Sequence, residues 1–136
     1  MTYLVERLAE LRTYVRHATE IAARPLSIAA LEHDLTLRND VLFTLLTIAQ
    51  LVIDIAGELA SRRGERFETY RESIHKLGMD SRFAPDLTSR LERLAGFRNV
   101  VVHEYVGIDF AKVIAALRDV TPVEEFIRLV ADLERP

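Results

Sequence analysis

The sequence predicts an all-α protein, a helical bundle that forms one domain over residues 1–136. Apolar residues recur at intervals of three and four along most of the chain, which is the spacing of one face of an α-helix. Five glycines, four prolines and the lack of a low-complexity run leave little room for disorder or for a turn-rich β-sandwich. With 49% hydrophobic residues, a chain of 136 residues can bury one substantial core and is too short for two ordinary domains.

The N-terminal half of the chain predicts one amphipathic helix and one largely apolar helix. The first ends before Pro25, because a residue that precedes proline is biased away from helical geometry. The segment around Pro25 and Ser27 is expected to be a loop. The second helix, from about Asp34 to Arg63, has apolar residues over most of its surface, so we expect it to be the central helix of the bundle.

The apolar stretch 41–60 is also nearly long enough to cross a lipid bilayer. Its polar residues fall on one narrow stripe of the helix, and charged side chains are costly at membrane depth. Burial within the bundle is therefore the favoured interpretation, and no membrane partner is expected. The stripe consists of Asp40, Thr44, Thr47, Asp54 and Glu58.

Shorter helices are predicted after the central helix. Gly64 ends that helix, and apolar residues from Phe67 to Leu77 indicate a short helix that stops at Gly78. Pro85 and Asp86 suit the first turn of the next helix, because proline is tolerated there and an acidic group is favourable near a helix N-terminus.

The last third of the chain contains one ambiguous segment. Residues 100–102 are three valines and alone would suggest a strand, but a single strand among helices could not satisfy its backbone, so a helix is expected. Asp109 is expected to cap a short helix. Thr121, Pro122 and Glu124 have the pattern of a capping box with proline at the first helical position.

Charge and cysteine content exclude several classes of protein. A formal net charge of -3 argues against a nonspecific polybasic nucleic-acid binder, although it leaves room for a local basic groove. The absence of cysteine excludes disulfides, thiolate zinc sites and a cysteine nucleophile. The first residues mix charged and apolar side chains and lack the apolar core of a signal peptide, so a cytoplasmic protein is expected.

The residues that indicate chemistry lie between Gly96 and Tyr105. Arg98, Asn99, His103 and Tyr105 follow an apolar helix within eight positions, and a helical backbone would bring Arg98 and Asn99 within about a turn and a half of His103. RNA cleavage needs few protein groups, because the adjacent 2′-hydroxyl is the nucleophile. Histidine can transfer a proton near neutral pH, and arginine can stabilise the charge of the transition state. This chemistry requires no metal ion or cofactor.

The segment from Arg98 to Tyr105 resembles the R-X4-H-X-Y motif of HEPN-domain toxins of the HepT group. Four residues separate Arg98 from His103, and one residue separates His103 from Tyr105. The apolar helix that leads into Arg98, the aliphatic triplet before His103 and the sequence Gly-Ile-Asp at 107–109 are similar to the family as well. The resemblance implies a HEPN-type antiparallel bundle of about five to six helices. It also implies a homodimer in which two motifs face each other across a shared cleft.

The same resemblance implies a toxin of a toxin–antitoxin system that is a metal-independent endoribonuclease. Arg98 and His103 would be the catalytic pair, and Asn99 would orient the site. Tyr105 would be the residue to which an MNT-type nucleotidyltransferase antitoxin transfers AMP, which silences the toxin. The implied substrate is RNA, such as tRNA or mRNA, and DNA is not expected because it lacks the 2′-hydroxyl.

Other interpretations remain open on the sequence alone. The chain could be a non-catalytic helical partner that presents nucleotide or substrate to a nucleotidyltransferase, or a dimerisation scaffold whose motif only stabilises the dimer. Asp54 and Glu58 could be acids that face the cleft or members of a solvated polar stripe. The arginines at 62, 63 and 66 could follow a phosphate backbone, or they could form ion pairs with Glu58, Glu65 and Glu68.

Overall fold

The computed structural model describes residues 2–104 and 106–135. Over these residues the chain forms seven α-helices and no β-strand, which confirms the all-α prediction. Their bounds are α1 Thr2–Ala22, α2 Ile28–His33, α3 Leu35–Arg62, α4 Tyr70–Leu77, α5 Pro85–His103, α6 Phe110–Arg118 and α7 Thr121–Leu133.

Helix α3 is the centre of the bundle, as its apolar sequence predicts. It packs against α1, α2, α4, α5 and α6, and its inward face is completely buried over most of its length. Each large aliphatic side chain buried in this way contributes about 1.5–3 kcal/mol to folding. The fully buried aliphatic side chains of α3 are Val41, Leu45, Ile48, Ala49, Val52, Ile55 and Ala56.

Helix α3 could by its sequence also be a membrane span, and its burial in the bundle bears on that alternative. Among the helices of the described chain, α3 alone is long and apolar enough to cross a membrane, with a mean hydropathy of 1.7 over its most apolar window. Half of that window is buried inside the bundle. Since the core helix of a soluble protein has the same length and composition, these properties are weak evidence for a membrane span.

Helix α2 lies in the segment for which the sequence predicts a loop, and it is the reason that seven helices are present rather than five to six. Its N-terminus is capped by Ser27, whose Oγ accepts a hydrogen bond from the amide of Ala30 at 3.0 Å. Asp34 caps the following helix α3 in the same way, through the amide of Leu37. With six residues and only Leu31 buried, α2 is too short to show a helical period.

Three further predictions, for the end of α3, for α5 and for the start of α6, agree with the structure. Gly64 adopts a positive φ of 73° directly after α3, which glycine tolerates without steric cost. Helix α5 begins at Pro85 and remains helical through the three valines at 100–102, so the choice of helix over strand is confirmed. Asp109 caps α6 through the amides of Ala111 and Lys112, also as predicted.

The capping box at the start of α7 is not formed, so that prediction is wrong. The amides of Val123 and Glu124 both donate to the carbonyl of Val120 at 3.0 Å, which starts the helix one residue earlier than expected. Thr121 is therefore the first helical residue, and Pro122 is the second rather than the first. Instead of capping α7, Thr121 hydrogen-bonds to the carboxylate of Asp119.

Candidate active site

The motif residues occupy the C-terminal end of α5. The earlier part of this helix is fixed in the core by Leu87, Leu91 and Ala95, which are buried against the rest of the bundle. Arg98 is half-buried, and His103 is the exposed last residue of the helix. Anchoring one end of α5 therefore leaves the motif at the surface on a rigid element, which is where a large substrate could reach it.

Two hydrogen bonds hold the guanidinium of Arg98. Its Nε donates to Oε1 of Gln50 on α3 at 3.0 Å, and its Nη1 donates to Oδ1 of Asn99 at 3.2 Å. Both bonds are partly buried, so water competes with them less than at the surface. The structure thus brings Arg98 and Asn99 together and adds a residue from a different helix.

Gln50 is in turn bonded to Asp54, one helical turn further along α3. Its Nε2 donates to Oδ1 of Asp54 at 2.8 Å. Gln50 is not predicted as a site residue, because an uncharged amide on an apolar helix has no motif of its own. The only signal was its spacing of four residues from Asp54, on the polar stripe of α3.

His103 and Asn99 share one face of α5, because they are four residues apart. Arg98 and His103 are separated by about 7.5 Å along the helix axis, from the rise of 1.5 Å per residue. The helix closes directly after the histidine, where the amide of Glu104 donates to the carbonyl of Val100 at 2.9 Å. The arrangement places an exposed imidazole about a turn and a half of helix from a half-buried guanidinium.

Tyr105 lies outside the described residues, so the prediction for it is not tested by the structure. The chain beyond it turns at Gly107, whose φ of 89° suits glycine. Val106 is 92% exposed and lines a half-open cavity of about 390 Å³ together with Arg38 on α3. The other lining residues are Glu32, Leu42, Gly107, Ile108 and Phe110.

The arginines that follow α3 are engaged in ion pairs. Arg62 pairs with Glu134 at 2.6 Å and with Glu58 at 3.6 Å. This arrangement favours the salt-bridge interpretation for Glu58, whereas the carboxylate of Asp54 belongs to the network around Arg98.

Arg63 contacts Glu65 at 3.4 Å and Asp80 at 3.8 Å. For these two arginines the ion-pair alternative is the one that the structure favours. Arg66 is exposed.

The chemistry that this site can perform follows from the two groups at the helix end. A guanidinium stabilises the negative charge that builds up on a phosphate in a transition state, and an imidazole takes up or releases a proton near neutral pH. Within residues 2–104 and 106–135, no three His, Asp or Glu side chains gather closely enough to hold a metal ion.

The fold is an all-helical bundle in which Arg98, Asn99 and His103 lie at the C-terminal end of α5. The chain belongs to the HepT-like ribonuclease family, since the family model described as Ribonuclease HepT-like matches residues 5–130. A curated protein of Archaeoglobus fulgidus, provisionally named an RNase, is 28% identical over 99 residues, which are 72% of this chain and 75% of that protein.

Solved structures of toxin–antitoxin systems have the same fold. One is a tri-AMPylated HEPN toxin of Shewanella oneidensis in complex with its MNT antitoxin, with a TM-score of 0.84 and 19% identity. The match covers 95% of this chain and 96% of that toxin. A second, a toxin–antitoxin complex with AMP-PNP, has a TM-score of 0.86 and 18% identity over 97% of this chain and 99% of its own.

Proposed function

We propose that this protein is the toxin of a toxin–antitoxin system and a metal-independent endoribonuclease that uses Arg98 and His103. The observation that carries the proposal is the half-buried Arg98, held by Gln50 and Asn99, about a turn and a half of helix from the exposed His103. Membership of the HepT-like ribonuclease family supports the same activity. The cytoplasm is the proposed compartment.

In the proposed reaction the 2′-hydroxyl of one nucleotide attacks the adjacent phosphorus. A new bond forms between O2′ and phosphorus, and the bond from phosphorus to the 5′-oxygen breaks, which leaves a 2′,3′-cyclic phosphate and a 5′-hydroxyl. His103 accepts the proton of the attacking hydroxyl or donates one to the leaving 5′-oxygen, and water exchanges the other proton. Arg98 stabilises the additional negative charge on the phosphate oxygens as the transition state forms.

A homodimer that joins two such sites is part of the proposal. Phe43, Leu46 and Gln50 lie on one face of α3, because they are three and four residues apart. Phe43 is 57% exposed, and Val102, one turn beyond Arg98 on α5, is 51% exposed. Apolar side chains left uncovered beside the Gln50–Arg98 contact support a partner chain at this face.

The proposed regulator is an MNT-type nucleotidyltransferase that attaches AMP to Tyr105. Support comes from the Shewanella oneidensis toxin, which has the same fold and is tri-AMPylated in complex with an MNT antitoxin. Val106, which follows Tyr105 in the sequence, lines a cavity of about 390 Å³ that has an arginine in its wall. AMP would add bulk and negative charge near the site where the RNA phosphate binds.

The decisive experiment incubates total RNA and purified tRNA with the wild-type protein, Arg98→Ala and His103→Ala in excess chelator, followed by a denaturing gel. Cleavage is expected from the wild type and not from either variant. Arg93→Ala and His75→Ala are matched controls, because both residues are exposed and neither belongs to the motif. Both controls are expected to cleave as the wild type does.

Mass spectrometry and circular dichroism establish beforehand that each protein is free of AMP and folded. A folded, AMP-free wild type that leaves both RNAs intact would contradict the proposal and favour a binding partner of a nucleotidyltransferase. Sedimentation of the same samples tests the dimer. If Arg98→Ala or His103→Ala dissociates the dimer while cleavage is unchanged, the motif is a dimerisation element.

A further inference from the structure

We infer that Gln50 and Asp54 of α3 form a relay that fixes the orientation of the Arg98 guanidinium for catalysis. The inference rests on the proposed function, because it assigns positioning residues to the same site. Three side chains are connected in series, from Asp54 Oδ1 to Gln50 Nε2 at 2.8 Å and from Gln50 Oε1 to Arg98 Nε at 3.0 Å.

The carboxylate of Asp54 determines which way the amide of Gln50 points. An amide has a donor end and an acceptor end, and a carboxylate can only accept. If the amide were reversed, its oxygen would face the carboxylate of Asp54 and its NH₂ would face the N–H of Arg98, so both contacts would become repulsive. Asp54 therefore selects the orientation in which Gln50 presents an acceptor to Arg98.

The acceptor on Gln50 restricts the guanidinium to one plane. A guanidinium has five N–H donors in a rigid planar fork, and the contacts with Gln50 and Asn99 use two of them. The other three N–H groups take no part in these two bonds. Because the long arginine side chain has many rotamers, fixing its plane before substrate binds removes an entropic cost from the reaction.

The position of the relay excludes a general role in core packing. Gln50 and Asp54 are half-buried, whereas the inward face of α3 is formed by apolar side chains such as Ile48 and Val52, which are fully buried. Glu58, the next acidic residue of the stripe, pairs with Arg62 instead. The amide of Gln50 thus contacts both Arg98 and the carboxylate of Asp54, and neither side chain belongs to the fully buried face of α3.

The experiment measures RNA cleavage by Gln50→Leu, Asp54→Ala and Asp54→Asn, with Glu58→Gln as the matched control on the same helix. Misplacing the guanidinium is expected to lower kcat about 10- to 100-fold in Gln50→Leu, with a smaller change in KM. Asp54→Ala is expected to lower kcat less, because Gln50 can still reach Arg98. Asp54→Asn is expected to recover part of that loss, since its carbonyl can still accept from Gln50, and Glu58→Gln should match the wild type.

A second readout does not depend on activity. The Nε–H signal of Arg98 in a nitrogen–proton NMR spectrum is assigned by its absence in Arg98→Ala. It is expected to exchange faster with water in Gln50→Leu and Asp54→Ala than in the wild type or Glu58→Gln. The relay would be overturned if the Nε–H of Arg98 exchanged with water at the wild-type rate in Gln50→Leu. It would also be overturned if the wild type were active and Gln50→Leu had the same kcat.

The two readouts also separate the relay from the proposed function. A wild type that cleaves no RNA contradicts the ribonuclease proposal, whereas the NMR measurement still decides whether Gln50 and Asp54 hold Arg98. An active wild type whose Nε–H signal is insensitive to both residues keeps the ribonuclease and removes the relay.

Discussion

Arg62 at the end of α3 and Glu134 just after α7 form an ion pair with an Nη1–Oε1 distance of 2.6 Å. The side chain of Glu134 is only 11% exposed, and its Oε2 is buried without a hydrogen-bond partner in the described chain. The carboxylate therefore depends on Arg62, because a buried charge without a partner is unfavourable. The contact joins the central helix to the C-terminal end of the bundle.

Arg62→Ala is expected to lower the free energy of unfolding by about 1–3 kcal/mol, since it leaves Glu134 with an unpaired charge. Urea denaturation monitored by circular dichroism measures this value. The control is Arg128→Ala, whose partner Glu125 lies in an exposed pair, for which a change of less than about 1 kcal/mol is expected. Equal losses in the two variants would show that the contact with Glu134 is no stronger than a surface pair.

Two glycines near the motif are expected to respond oppositely to alanine. Gly107 has a φ of 89°, so Gly107→Ala should destabilise the protein by about 1–2 kcal/mol through backbone strain. Gly96 is helical, and an added methyl group would lie 4.0 Å from the hydroxyl of Tyr70, an ordinary contact. Gly96→Ala should therefore stabilise α5 by about 0.5–1 kcal/mol. Thermal unfolding of both variants checks the signs, and a stabilising Gly107→Ala would be incompatible with the turn described.

Acid should weaken the contact between Arg90 and Asp119. Burial alone would raise the pKa of Asp119, but hydrogen bonds and charge attraction from Arg90, with hydrogen bonds from Thr121, outweigh it and hold the pKa below its ordinary value. A lowered folded-state pKa stabilises the protein above the unfolded pKa, and this contribution disappears as the pH falls through the folded pKa.

Asp119→Asn is accordingly expected to lower the free energy of unfolding by up to about 1 kcal/mol at neutral pH, which is the range for an exposed ion pair. Its stability should approach that of the wild type below roughly pH 4, where aspartate begins to protonate. Urea denaturation across this pH range tests the convergence. A difference that stays constant with pH would attribute the cost to something other than the charge.

Cleavage is expected to persist in excess chelator and to leave 2′,3′-cyclic phosphate ends, because the proposed nucleophile is a hydroxyl of the RNA itself. Mass spectrometry of the products identifies these ends, as does their resistance to ligation at the 3′ end, which needs a free 3′-hydroxyl. A strict requirement for magnesium, or products with only 5′-phosphate ends, would count against His103 as the proton-transfer group.

Modification by the proposed antitoxin is expected at Tyr105. Incubation with an MNT-type nucleotidyltransferase and ATP should increase the mass of the wild type by one or more AMP groups and suppress cleavage. Tyr105→Phe should remain unmodified and active, whereas the control Tyr70→Phe should behave as the wild type. Neutralisation of Tyr105→Phe by covalent modification at another residue would refute the assignment.

The sequence predicts the long helices well because their apolar period extends over many turns. Helix α2 is missed, since six residues with Leu31 as the only buried side chain give no measurable period. The start of α7 is misjudged by one residue, because the same Thr-Pro pattern fits a cap or a first turn and the conformation of Val120 decides between them.

The candidate site is predicted only as far as it is local in sequence. Arg98, Asn99 and His103 lie within six positions, and helical geometry alone relates them. Gln50 contacts Arg98 from 48 residues away, and that contact depends on how α3 and α5 pack, which no local pattern determines. Asp54 is one helical turn from Gln50 on the same helix, but its connection to the site depends on the contact between Gln50 and Arg98.

Because α3 is continuous from the cap at Asp34 to Arg62, the angular phase of Gln50 is set by the number of residues that precede it in the helix. A single residue inserted between Asp34 and Gln50 would rotate the part of α3 after the insertion by about 100° relative to the part before it. It would also shift that part by about 1.5 Å along the helix axis. Either the apolar face would leave the core or Gln50 would leave Arg98. The length of this helix is thus as much a part of the site as any side chain in it, and point substitutions change the site more gently than insertions or deletions do.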